Sequence, residues 1–217
     1  MLSGENIMTR QRWAAAGAVV LGVLVLALAG CANKPAAVKA VENLGGQITV
    51  DANQPGNPVV AVDLNRTMVT DAGLKELKGL KSLKTLNLGG TQVTDAGLKE
   101  LKGLKSLQTL KLSGTQITDV GLKELKELES LQELDISYTQ VTDAGLKELK
   151  ELKSLQKLFI YGTQVTDAGL KELKDLKSLQ ALYVGESQVT NAGLKELQAA
   201  RPELKIIFDP SPAGVPD

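Results

Sequence analysis

The sequence predicts an α/β solenoid with a parallel β-sheet on its concave face and short helices on its convex face. Three observations predict it. Thr70, Thr94, Thr118, Thr142, Thr166 and Thr190 each open an Asp/Asn-Ala/Val-Gly-Leu-Lys-Glu-Leu block, and consecutive members are 24 positions apart. Self-similarity at such a period marks units that stack. Within a period, residues such as Leu86 and Leu88 alternate with variable ones as in a strand, whereas Leu74, Leu77 and Leu80 share one side of a helix. Finally, residues 59–208 contain hardly any segment outside this period.

Composition limits the function. The 217 residues include 25 Lys and Arg against 25 Asp and Glu, so no net charge argues for nucleic acid. With no His and a single Cys, the chain cannot build Ser/His/Asp or Cys/His triads, His-based acid–base catalysis, or thiolate and imidazole metal sites. Carboxylate chemistry is the catalytic option left.

Taken in order, the chain starts with Arg10 and Arg12 before an apolar run from Trp13 to Ala29, the layout of a secretory signal peptide over residues 1–30. An uncleaved anchor is the alternative, at the short limit for crossing a bilayer. Leu28-Ala29-Gly30-Cys31 resembles the bacterial lipobox, which implies a lipidated Cys31 after cleavage. Several acyl chains at ~0.8 kcal/mol per buried methylene make a stable membrane anchor. Ala32 follows the Cys where inner-membrane lipoproteins of this kind tend to carry Asp, so the expectation is the outer membrane of the cell envelope. Residues 31–35 would be a tether. Residues 36–58 read as an N-terminal cap, in which AAVKAVENL forms a helix stopped by Gly45-Gly46 and QITVD forms a strand.

Each repeat over residues 59–208 follows L-x-x-L-x-L-x-x-T-x-V, as in Leu107, Leu110, Leu112, Thr115 and Ile117. This resembles the leucine-rich repeat, with Thr or Ser where the usual consensus has Asn or Cys, and in particular a bacterial subtype written T-x-V-T-D-A-G-L. The resemblance implies a quasi-one-dimensional array in which no single repeat folds alone. Pro202 should interrupt the last helix before the capping strand LKIIF, and residues 209–217 read as a Pro-rich tail. Eight strands about 4.8 Å apart would give a concave sheet roughly 34 Å across.

Three columns repeat with the period. Thr67, Thr91, Thr115, Thr139, Thr163 and Ser187 form a hydroxyl ladder that can satisfy backbone groups where each strand turns away. Asp71, Asp95, Asp119, Asp143 and Asp167 offer carboxylates of the type calcium uses, but no converging ligands accompany them. They are read as charge at helix N-termini, with Thr70 and its equivalents as caps, and no metal or cofactor is expected. Lys75, Glu76 and Lys78 with their equivalents mix signs and are read as a solvated convex face. The repeated Gly73 column implies close approach between coils.

A specific site must lie where the copies differ. The column between the strand leucines runs Asp63, Asn87, Lys111, Asp135, Phe159, Tyr183; the next runs Asn65, Gly89, Ser113, Ser137, Tyr161, Gly185. Both are expected to face outward. Tyr138, Phe159, Tyr161 and Tyr183 should share one patch, with Asp135 beside Phe159 and Lys111 on the next strand. Aromatic anchors beside charges suit a protein interface and also sugar stacking; strand propensity alone also favours aromatics there. The expected function is a lipid-anchored, non-catalytic protein that binds a protein or glycan of the bacterial envelope through these residues. A structural spacer without a discrete ligand is the second reading, and an enzyme using Glu133 and Asp135 the third.

Overall fold

The computed structural model describes residues 36–208, so the signal peptide, Cys31 and the tether expected before them, and the tail expected after, lie outside the described residues. Helix α1 (Ala36–Asn43) buries Ala37, Val38 and Val41. It stops where expected. Gly45 takes the left-handed φ of +78°, and the Gly46 N–H closes the helix end on the Val41 carbonyl at 2.9 Å.

Eight strands follow in one sheet whose spatial order is the chain order. They are β1 (Gln47–Val50), β2 (Val59–Asp63), β3 (Thr85–Asn87), β4 (Thr109–Lys111), β5 (Glu133–Asp135), β6 (Lys157–Phe159), β7 (Ala181–Val184) and β8 (Lys205–Phe208). The pair β1 and β2 is antiparallel, with a register shift at Thr49/Val50. Every later pair is parallel in the 24-residue register, so Leu86, Leu110, Leu134, Leu158 and Leu182 stack on one another. These leucines are completely buried, which is why a one-residue slip of register is forbidden.

On the convex side lie α2 (Asp71–Leu74), α3 (Asp95–Leu98), α4 (Asp119–Leu122), α5 (Asp143–Glu148), α6 (Asp167–Glu172) and α7 (Asn191–Ala200). The first five of these tighten into 3₁₀ turns. Leu128, Leu152 and Leu176 end three of those turns at φ −86 to −79° and ψ 66 to 73° and drop into the core. Ala200 replaces that leucine in the last repeat, and α7 continues for 10 residues. It ends at Arg201, whose φ of −134° and ψ of 71° leave the helical region that a following Pro202 disfavours.

The hydroxyl ladder forms as expected in five repeats. Thr67, Thr91, Thr115, Thr139 and Thr163 each donate from Oγ1 to the carbonyl three residues back, at 2.6–2.9 Å. Ser187 departs from the ladder: its buried hydroxyl has no hydrogen-bond partner among the described residues. Serine lacks the methyl that locks the threonine rotamer.

The Asp column does more than charge a helix end. Asp71 reaches into the next repeat and accepts from Thr94 N (2.8 Å) and Thr94 Oγ1 (2.7 Å). Asp95, Asp119, Asp143 and Asp167 repeat this on Thr118, Thr142, Thr166 and Thr190. The hydroxyl of each of these five Thr, so oriented, accepts from the amide of its own helix start. Thr70 is the exception to the expected capping: it makes no side-chain cap bond, and the residue one period before Asp71 is Gln47 in β1, not Asp. The glycine column follows from the same contact. A Cβ at Gly121 would lie 2.3 Å from Asp95 Oδ1, and at Gly145 2.4 Å from Asp119 Oδ1.

Charges on the convex face pair between repeats, as in Lys102–Glu124 at 2.7 Å and Lys105–Glu127 at 3.1 Å. Exposed pairs of this kind add little stability. The C-terminal end is closed by Arg201, only 2 % exposed. Its guanidinium donates to the carbonyls of Leu176 and Leu179, both at 2.9 Å, and at 3.4 Å to those of Leu173 and Lys177.

Candidate functional site

The short strands hold the variable residues in rows. In register, Asp63, Asn87, Lys111, Asp135, Phe159 and Tyr183 lie side by side across β2 to β7, as the sequence predicts. The next column is corrected in part. Ser137 is only 4 % exposed, and Gly89 and Gly185 are also buried, because the chain there is already turning under the sheet end. Tyr161 in that column stays half-buried.

Phe159 and Tyr183 stack, with ring centroids 4.1 Å apart and planes 9° from parallel. One strand spacing separates their backbones, so two rings standing on neighbouring strands meet face to face. Asp135 is next to Phe159 in register. One of its carboxylate oxygens accepts from the Ser137 amide at 3.0 Å, as Asp63 does from Asn65 and Asn87 from Gly89.

Tyr138 joins the patch from its border by a route that the sequence does not reveal. Its φ of +55° is left-handed, as are those of Arg66, Gly90, Gly114, Gly162 and Glu186 in the same column. A non-glycine residue there is uncommon and mildly strained. The ring lies over Gly162, where a Cβ would come within 2.4 Å of Tyr138 Cδ1. Its hydroxyl donates to Glu186 Oε2 at 3.3 Å, two repeats along the chain. Desolvation raises the phenol pKa above its ordinary value, and the Glu186 carboxylate adds to the rise. The side chain is 42 % exposed, so solvent screens this effect.

Glu186 and Gly162 are therefore site residues that sequence reasoning missed. The available signal was the recurring Gly just before the ladder Thr in Gly90, Gly114 and Gly162, which marks a positive-φ position. Lys111 stands beside Asp135 on the next strand, as expected, and also lines an N-terminal basin with Gln47, Thr49, Asp63, Thr85 and Asn87. Among the described residues, no group of three or more carboxylate or Cys side chains could hold a metal ion, and none of their helices is long and apolar enough to cross a membrane.

The solenoid is a leucine-rich-repeat fold. Residues 81–141 match the family model described as leucine rich repeat. An internalin from Listeria monocytogenes is similar in structure at TM-score 0.56 and 22 % identity, over 70 % of this chain and 40 % of its own. An internalin C2 from the same organism is similar at TM-score 0.52 and 25 % identity, over 83 % of this chain and 87 % of its own. The mouse RP105/MD-1 complex contains a chain similar at TM-score 0.55 and 18 % identity, over 67 % of this chain and 25 % of its own. This chain thus spans less than half of the first of these internalins. No curated protein matches the sequence.

Proposed function

We propose that this protein binds a protein partner through the C-terminal half of its concave face, while tethered to a bacterial envelope membrane by a lipid on Cys31. The observation that carries the reading is the Phe159–Tyr183 stack with Tyr138 and Glu186 at its border. Constant positions of the repeat form the core, the ladder and a mixed-charge convex face that is alike in every repeat; only the variable face can recognise one partner. Stacked aromatic rings beside a carboxylate suit the apolar and polar mix of a protein surface. A leucine-rich-repeat fold occurs in the RP105/MD-1 complex, which agrees with a binding role. No catalytic role is assigned, since the chain lacks His and its Glu133 is engaged with Lys157 at 3.4 Å.

The anchor reading rests on Leu28-Ala29-Gly30-Cys31 following an apolar run, and Ala32 favours the outer membrane. Cys31→Ser should release the protein from membranes or stop its processing; maturation and fractionation like wild type would refute lipidation. For the binding site, wild type and a Phe159→Ala/Tyr161→Ala/Tyr183→Ala variant are used as baits in solubilised envelopes. A discrete protein retained by wild type and lost by the folded variant is expected. Identical profiles would instead favour a spacer without a discrete ligand.

A further inference from the structure

The sheet has an unguarded edge at β8, which stands last in the strand order; among the described residues no strand lies beyond it. At the opposite end, β1 pairs antiparallel with a register shift at Thr49/Val50, an irregularity that discourages further pairing. β8 carries no such protection. Lys205, Ile206, Ile207 and Phe208 form a regular strand in parallel register with β7, without proline and with a single charge. Lys205 N donates back to the Gln180 carbonyl at 2.9 Å, as Ala181 N does to Gln156 one repeat earlier. Alternate residues of a strand point their backbone groups to opposite edges, so Lys205 and Ile207 bond towards β7 while Ile206 and Phe208 turn their N–H and C=O groups outward. The side chains are uncovered too. Phe208, in register with the completely buried Val184, is 44 % exposed because no further repeat packs on it.

We propose that this edge pairs antiparallel with the same edge of a second copy of the chain, about a two-fold axis at Ile207. The backbone selects the register. Centring on Ile207 sets Ile206 opposite Phe208 of the other copy, so the outward N–H and C=O groups of both residues are bonded. Centring on Ile206 would set Phe208 against Leu204, whose N–H and C=O are already engaged by Arg201 and Gln198. Centring on Phe208 would set Ile206 against Pro210, which has no N–H. Charge agrees with a register chosen without it. Asp209 follows in the sequence, so KIIFD is its own complement when reversed: Lys205 faces Asp209 twice in each dimer, and Ile206 faces Phe208. The three prolines of the segment after Phe208 make it a poor strand to cover the edge itself. On the concave face the row Asp135, Phe159, Tyr183, Ile207 continues across the axis into its own copy. This pairing does not rest on the partner proposed for the aromatic patch.

The test is oxidative crosslinking of the full chain in detergent micelles, in a Cys31→Ser background that leaves no other thiol. Ile207→Cys faces itself in a non-hydrogen-bonded pair with Cα atoms about 4.5 Å apart, inside the ~4.4–6.8 Å that a disulfide spans. It should give a covalent homodimer, and Lys126→Cys on the convex face should not. Lys205→Asp sets like charges opposite each other and should weaken the dimer roughly tenfold; adding Asp209→Lys should restore it. Sedimentation of the same charge variants without the new thiol should show the same loss and recovery of dimer mass, and Phe159→Ala should change neither reading. A monomer throughout, as expected if the chain's own tail or a foreign strand covers the edge, would overturn the proposal. So would equal crosslinking from Lys126→Cys, or a charge reversal that fails to restore the dimer.

Discussion

Asp119 holds two bonds into the next repeat, to Thr142 N at 2.8 Å and Thr142 Oγ1 at 2.7 Å, and through them sets the cap of α5. Asp119→Ala leaves a half-buried amide and hydroxyl without their acceptor and should cost about 1–3 kcal/mol by urea unfolding. Asp119→Asn keeps one acceptor and should cost less. The equivalent Asp167 has a carboxyl held below its ordinary value near 3.8, first by the Thr190 hydroxyl and then by the Thr190 amide. A folded pKa lowered in this way stabilises the fold above the unfolded value, and the gain is lost as pH falls through the ordinary value towards the folded one. Asp167→Asn should flatten that part of the acid limb of a stability–pH profile; an unchanged acid limb would contradict the staple. At Gly162, φ is +58° and the Tyr138 ring occupies the space of a side chain. Gly162→Ala should cost roughly 1–2 kcal/mol from the backbone alone. It should also detach Tyr138 from Glu186, seen as movement of the tyrosine ring resonances by NMR.

At the scale of elements, the ends of the array carry the information that periodicity cannot supply. Arg201 aligns one period after Lys177, a solvated position, so nothing in the sequence marks it as a buried cap. Its burial arises because no further repeat covers the Leu176 and Leu179 carbonyls, which a guanidinium fork can satisfy together. Arg201→Ala should therefore destabilise by roughly 3 kcal/mol, with faster hydrogen exchange confined to β8 and the turn before β7. The strands and helices themselves were legible, since Leu86-x-Leu88 and Leu74-x-x-Leu77 bury according to two different periods. The Asp-to-Thr staple was not. It joins residues 23 positions apart, and a column of Asp at helix starts has an equally good local explanation. The expected Thr70 cap failed for the same reason, because capping depends on a carboxylate from the preceding repeat.

For the whole molecule, stacking implies that repeats are interchangeable as long as the period is respected. Deleting residues 91–114 removes one full period and should preserve cooperative unfolding, with a urea m-value reduced roughly in proportion to the length lost. Loss of cooperativity would mean that the repeats are not equivalent structural units. The site was legible only to the extent that variation could be read against this constancy. Phe159 and Tyr183 stood out in the sequence and stack in the fold, and Asp135 and Lys111 follow in register as expected, whereas Glu186 enters through Tyr138 from two repeats away. Site-specific photocrosslinking in intact cells tests the binding face most directly. With a photoreactive phenylalanine analogue in place of Tyr183, a discrete crosslinked protein is expected that is absent when the analogue replaces the exposed convex Lys126. Identical patterns from the two positions, or no product from position 183, would contradict the aromatic face as the partner's site.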